Sequence, residues 1–249
     1  MIKKYASAEL LYAEAFKLGL NPHWESPHGL FSIQYKGKDI FIFYTKLHIN
    51  SQLGAWMSQD KYLTHIILKK YNLPDIPYCY TTQIKTLNIF FDKHHPIIQK
   101  PVLGQRAEDV FLIQKRNEIR QGTLQDWIFE KYMKGKEYRC LVLKGKVIAM
   151  QEKILSPTGD YHWRKIIRNL AEKDWNKQMV IYSIKISKIF QLGLMAVDFI
   201  LDSNRKIWIL ETNSMPSLYA FHNPDKGPKL NVAKQVLREI LSTTNTPLK

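Results

Sequence analysis

At 249 residues, 45% hydrophobic and 24% charged, the chain has the make-up of a folded protein large enough for one composite domain or two lobes, not of a disordered or fibrous one. Thirty-seven Lys and Arg against 22 Asp and Glu leave a net charge of +15, which suits an anionic partner such as a nucleotide, an acidic peptide, nucleic acid or a membrane surface, although the lysines are scattered and not packed into one block. Cys79 and Cys140 alone exclude a disulfide framework, no apolar run reaches transmembrane length, and Glu9 and Glu14 interrupt what a signal peptide needs as its centre, so the expectation is a cytoplasmic protein without a membrane span.

In chain order, residues 7–18 carry Leu11, Ala15 and Leu18 at helical spacing with Gly19 beyond, which predicts a helix. Residues 21–29 read as a turn-rich connector, and 30–35 with 39–44 as a hairpin around Lys36-Gly37-Lys38. A new unit starts at Ser58. Residues 60–71 fit a helix turning Leu63, Ile66 and Ile67 inward and stopped by Asn72-Leu73-Pro74. Residues 77–81 and 96–100 are expected strands, 103–109 a polar loop and 110–113 a strand. His94 and His95 would point apart on a strand, and a soft boundary falls near Gln121-Gly122.

Further on, 126–132 and 138–143 read as strands, 146–151 closes a hairpin across Lys144-Gly145, and 156–169 has no clean period and reads as a long loop. Residues 175–190 predict a strong helix, with Met179, Tyr182, Ile186 and Ile189 or Phe190 on one stripe and Gly193 just past its end. A turn at 224–228 precedes a terminal helix, 230–241, facing Val232, Val236, Leu237 and Ile240 inward.

The stretch most suited to chemistry is 192–218, which reads as a hairpin of strands 195–201 and 206–212 about Asp202-Ser203-Asn204-Arg205. A loop of two or four residues sets Phe199 against Trp208 and Val197 against Leu210, giving one apolar face. Asp198, Glu211 and Asn213 then share the other face, and such hard oxygen ligands suit magnesium. A solvated outer face with two incidental acids is the plainer alternative. Lys100, at the end of an apolar strand, and Lys61, at the start of its helix, could each meet a phosphate. Residues 130–139 place Glu130 and Glu137 about a strand–turn–strand passage, where backbone groups could read an adenine edge and Glu137 could accept ribose hydroxyls. Other templates fail: there is no phosphate-binding Gly-x4-Gly-Lys-Ser/Thr, no dinucleotide Gly-x-Gly-x-x-Gly, and no Cys/His spacing for zinc.

Taken together, PIIQKPVLG (96–104), IFEKYMKGKEYRCLVLKGKVIA (128–149), LGLMAVDFILD (192–202) and IWILETNSMPSL (207–218), in this order and at these intervals, resemble the ATP-grasp ligases, most closely the RimK-like and cyanophycin-synthetase-like branches. The resemblance implies an α+β ATP-grasp fold, two α/β lobes with the nucleotide between them. Residues 1–57 then form a short segment with a helix and hairpin, 58–122 the N-terminal lobe and 123–245 the C-terminal lobe with the magnesium site. Lys61 and Lys100 match the phosphate lysines, Glu130, Lys131, Tyr132 and Met133 the adenine hinge, Glu137 the ribose acid, and Asp198, Glu211 and Asn213 the ligands of Mg2+, with Mn2+ as a substitute. Arg139, Arg164 and Arg168 correspond to arginines on the substrate side.

The resemblance departs at two places. The phosphate-covering loop of the family is rich in glycine, whereas 103–109 keeps only Gly104 and adds Glu108 and Asp109, so either Arg106 replaces some backbone contacts or the lid closes poorly and turnover is slow or absent. The segment before the ATP-grasp unit is also short, which leaves acceptor binding to a homodimer, a partner protein or a large substrate. The leading expectation is an ATP-dependent carboxylate–amine ligase acting through an acyl phosphate, on an acidic or peptidic substrate. A catalytically weak nucleotide-binding relative that recruits a partner, and a basic nucleic-acid-binding protein, are the alternatives.

Overall fold

The computed structural model describes residues 6–104, 109–120, 122–155 and 165–243. By packing, the chain divides into two units, each discontinuous in sequence: one of residues 1–55, 138–197 and 213–249, the other of 56–137 and 198–212. This partition follows packing and differs from the lobe boundaries expected at 58 and 123.

In the first unit, α1 (Ala6–Lys17) is followed by a three-stranded antiparallel sheet of β1 (His23–Ser26), β2 (Leu30–Tyr35) and β3 (Lys38–Phe43). The β2–β3 turn needs two left-handed residues, and Lys36 and Gly37 supply them at φ 52° and 75°. A connector was expected where β1 lies; four residues paired to an edge leave too little periodic signal. The chain passes through α2 (Gln52–Gln59), which no expectation covered, into the second unit.

The first unit resumes along β8 (Gly135–Leu143) and β9 (Lys146–Leu155), which turn at Lys144-Gly145, again with both φ positive. Next come β10 (Lys165–Asn169) and α5 (Lys177–Phe190), whose N-terminus Asn176 caps by accepting from Gln178 and Met179 N–H. Residues 165–169 were expected in a loop; they are a strand because β9 runs on past Gln151 and pairs with them, Arg168 opposite Glu152. The left-handed stop of α5 is Gln191, not Gly193. Gly193 is needed instead for close approach, since a Cβ there would lie 2.6 Å from the Ile49 carbonyl oxygen. With α6 (Tyr219–His222) and α7 (Val232–Thr243), this unit closes over a core of Leu11, Phe31, Ile42, Leu141, Phe221 and Val236.

The second unit holds α3 (Lys61–Lys70), β4 (Tyr78–Cys79), α4 (Ile84–His94), β5 (Ile97–Pro101), β6 (Phe111–Ile113) and β7 (Trp127–Lys131). The strands form an antiparallel sheet in the order β4-β7-β5-β6 over a core that includes Leu87, Phe91, Ile97 and Phe129. His94 ends α4 and His95 is its cap, so neither lies on a strand. The expected inward face of α3 is corrected as well. Leu63 and Ile66 are 39% and 38% exposed, while Thr64, His65 and Leu68 are buried.

The strands β11 (Leu194–Asp202) and β12 (Ile207–Asn213) stand at the end of the order β10-β9-β8-β11-β12, and the unit boundary falls within β11 and at the end of β12. Their turn corrects the expected loop length. Asp202 N–H donates to Lys206 O over 3.0 Å, enclosing three residues, and Arg205 takes the left-handed conformation. The facing changes with it: Ile209 is buried and Trp208 is half-exposed, its Nε1–H bonding Asp202 Oδ2 over 2.9 Å. No helix of the described residues is long and apolar enough to cross a membrane.

Candidate functional site

Helix α3 is capped by Asp60, whose carboxylate accepts from Leu63 N–H over 2.9 Å. One stripe of the helix then carries Lys61, Thr64, His65 and Leu68, at offsets of three, four and seven. These four side chains line a pocket of the second unit, together with Ser58, Lys100, Glu130 and residues 209–212 of β12. Backbone pairing brings the two lysines to it: Lys61 N–H donates to Val102 O over 3.1 Å, and Asp60 bridges Leu103, two residues past the strand that bears Lys100.

The β5–β7 register does the rest. Ile98 stands opposite Glu130 and Lys100 opposite Ile128, so Lys100 and Glu130 are diagonal neighbours on one face. A lysine stem spans that gap, and Lys100 Nζ lies 2.6 Å from Glu130 Oε1. His65 Nε2 reaches the same oxygen at 2.8 Å while its Nδ1 lies 2.5 Å from Asp75 Oδ1. A chain of alternating charge results, Asp75–His65–Glu130–Lys100, buried but for its partly exposed Asp75 end.

Its electrostatics follow from burial against pairing. Burial alone would push the Glu130 carboxyl up, but Lys100 and His65 together hold it down, to about 2. Burial alone would push His65 down, yet its bonds to Asp75 and Glu130 outweigh that and raise it above the ordinary histidine value. Lys61 is lowered, first by burial and then by the nearby Lys100 charge, against the opposing pull of Glu211, Glu130 and Asp60. Its ammonium donates to the Gly104 carbonyl over 3.2 Å. Two cations, one of them neutralised by Glu130, therefore stand on one pocket.

Of the expected metal ligands, Glu211 lines this pocket and Asp198 is buried in the same unit. Asn213 Oδ1 accepts from Met215 N–H over 2.8 Å, which leaves that oxygen one further lone pair. Among the described residues, no group of three His, Cys, Asp or Glu side chains is gathered as a metal cage. Two carboxylates do fit magnesium, which usually takes one or two and completes its shell with water and phosphate.

The expected adenine segment divides. Glu130 turns its side chain into the pocket instead of offering it at a strand end. Lys131 N–H donates to Pro77 O over 2.8 Å and Tyr132 N–H to Pro96 O over 3.1 Å, so neither amide is spare. Met133 and Glu137 are half-buried just beyond. In the other unit, Arg139 lies on β8, and Arg168 pairs with Glu152 across β9 and β10, where the Tyr138 hydroxyl bonds the same carboxylate. Arg106 and Arg164 lie outside the described residues.

Sequence reasoning missed His65, Asp75, Thr64 and Thr212. The signal was there for α3. Lys61, Thr64, His65 and Leu68 recur with the helical period as cleanly as Leu63, Ile66 and Ile67 do, and only the assumption that apolar means inward chose the wrong stripe.

Comparison with known proteins places the chain in a family. The RimK-like ATP-grasp domain matches residues 58–240. The protein MG012 of Mycoplasma genitalium is 27% identical over 194 residues, 66% of this chain and 64% of its own length, so the chain spans a little under two thirds of that relative. The tetrahydromethanopterin:alpha-L-glutamate ligase of Methanocaldococcus jannaschii is 22% identical over 78% of this chain and 69% of its own. The structure of the ATP-grasp ligase PsnB complexed with minimal precursor, Mg and ADP superposes with a TM-score of 0.64 at 14% identity, over 80% of this chain and 62% of that one. The chain belongs to the RimK-like ATP-grasp domain family.

Proposed function

We propose that this protein is an ATP-dependent carboxylate–amine ligase acting through an acyl phosphate. The observation that carries the reading is the convergence of Lys61, Lys100 and Glu211 on one pocket. Phosphoryl transfer asks for positioning and charge neutralisation more than for covalent help, and two lysines beside a carboxylate supply both. Lys61 and Lys100 hold the terminal phosphates of ATP. Met133 and Glu137 meet the adenosine, and Lys131 and Tyr132 shape its edge. Glu211 and Asp198, with Asn213, would hold magnesium, which when bound would neutralise charge on the transferring group.

A carboxylate oxygen of the substrate attacks the γ-phosphorus, and the bond to the β-phosphate oxygen breaks, releasing ADP. The amine nitrogen then attacks the acyl carbon, phosphate leaves, and the amine proton passes to solvent. Arg139 and Arg168 are assigned to the substrate carboxylate, for which a planar guanidinium is suited. The glutamate named for the archaeal relative and the precursor named for PsnB support an amino acid or a peptide as the joined substrates.

Hydroxylamine trapping tests the reading. Protein, magnesium, ATP and a panel of amino-acid and peptide carboxylates should yield a hydroxamate together with ADP. Absence of ADP with every carboxylate would contradict it.

A further inference from the structure

We propose that His65 is a positioning residue, which by bonding Asp75 through one ring nitrogen and Glu130 through the other fixes Glu130 so that a single carboxylate oxygen holds Lys100 at the phosphate end of the pocket. The inference rests on the nucleotide-site reading for its functional consequence, but the hold itself is a property of the protein alone.

Both neighbours of the ring are carboxylates, at 2.5 Å on Nδ1 and 2.8 Å on Nε2. A neutral imidazole carries one N–H and one lone pair, so it can donate to only one of them. The arrangement is complete only when both nitrogens carry protons. On losing a proton, one nitrogen turns a lone pair toward a carboxylate, and that bond becomes a repulsion. Tyr78 stacks on the ring with centroids 4.1 Å apart and 17° between planes, which limits its freedom to turn away. The Asp75 end is anchored too, since Asp75 bridges Ile209 and Ile209 N–H donates to Pro74 O over 3.3 Å, two residues before Glu211.

Among the described residues, the charged and titratable groups around the ring are Asp75 on the connector after α3, Glu130 on β7, Lys100 on β5, Lys61 a turn earlier on the helix, Glu211 on β12, and the Tyr78 phenol on β4. With His65 protonated the two carboxylates nearest it are balanced by the ring and Lys100. Deprotonation removes one positive charge from the cluster and turns a lone pair either toward Glu130 Oε1, which then loses one of its two donors, or toward Asp75, which then repels the ring from its place; either way the ring's hold on Glu130, and with it the fixed direction of Lys100, is loosened. The raised value of His65 places that loss above the ordinary histidine range. Affinity for a nucleotide should then fall with rising pH, through the midpoint at which the ring itself titrates.

Two measurements on the intact protein test this. The first follows the His65 ring signal by NMR as a function of pH, assigned by its loss in His65→Gln. The midpoint should lie above the ordinary value and move down in Glu130→Gln and in Asp75→Asn. The second measures magnesium-ADP binding by calorimetry over the same range. Wild type should weaken roughly tenfold through the ring midpoint, the scale of one bond to a charged group. His65→Gln, which keeps an amide donor but does not titrate, should give a flat profile. A ring midpoint unmoved by Glu130→Gln overturns the hold, as does a wild-type binding profile that is flat through the midpoint or one that His65→Gln reproduces. Wild type that binds no magnesium-ADP at any pH ends the nucleotide reading instead, and the ring titration still decides the hold.

Discussion

Lys100 and Glu130 occupy diagonal positions of one antiparallel register and close to 2.6 Å where Lys100 is 5% and Glu130 2% exposed. Removing one partner of such a pair leaves the other charge buried and uncompensated. Lys100→Met is therefore expected to cost about 3–5 kcal/mol in urea unfolding. Lys61 is only half-buried and bonds a carbonyl, so Lys61→Ala should stay within about 1 kcal/mol of wild type. Equal losses for the two substitutions would mean that the pair does not carry the structural charge balance assigned to it.

Stability should depend on pH from both sides. Glu130 is held at about 2 in the folded protein, below its ordinary 4.5, so its contribution is full above that ordinary value and is lost as pH falls toward 2. The shift corresponds to roughly 3 kcal/mol at most. His65 is raised, so its contribution is full below 6.5 and is lost as pH rises through the folded value. Unfolding curves from pH 3 to 9 should show both losses, with Glu130→Gln flattening the acid limb; an unchanged acid slope in that variant would count against the assignment.

Glu211 lines the pocket from β12, and its charge acts on Lys61 against the effect of burial. Glu211→Gln should keep the unfolding midpoint within a few degrees while magnesium-dependent ADP release drops on the order of 100-fold or more. ADP release at the wild-type rate would remove Glu211 from the metal set.

Gly135 begins β8 where a Cβ would lie 2.3 Å from the Leu201 carbonyl oxygen and 2.7 Å from Ile200 Cγ2. Backbone cannot step aside as a side-chain tip can. Gly135→Ala should destabilise by about 1–3 kcal/mol, whereas Gly37→Ala, with open space around it, should show only the smaller strain of its left-handed turn. Thermal denaturation of the two variants side by side makes the comparison; the larger loss at Gly37 would contradict it.

Much of this was legible from local chemistry. The hairpin turns at Lys36-Gly37 and Lys144-Gly145, the helix ending at Phe190 and the placement of Lys100 at the end of a strand all follow from residue types acting within a few positions of one another. The rest depends on distant neighbours. Residues 165–169 become a strand only because β9 continues far enough to pair with them, and 23–26 only because β2 offers an edge. Arg205 adopting a left-handed conformation shortened the loop before β12 by one residue from the four that its composition invited. The His65 chain was hidden for another reason. A functional helix face can turn its polar stripe inward, and Glu130 reads as a hinge residue until the β5–β7 register sets it beside Lys100.

The most direct test of the site is calorimetric titration of magnesium-ATP into wild type, Lys61→Ala and Glu211→Gln at one pH and salt concentration. Wild type should bind one nucleotide, Lys61→Ala should weaken it roughly ten- to a hundredfold with little change in fold, and Glu211→Gln should lessen the dependence on magnesium. Binding of equal strength and equal magnesium dependence in all three proteins would place the nucleotide somewhere other than the pocket of Lys61, Lys100 and Glu211.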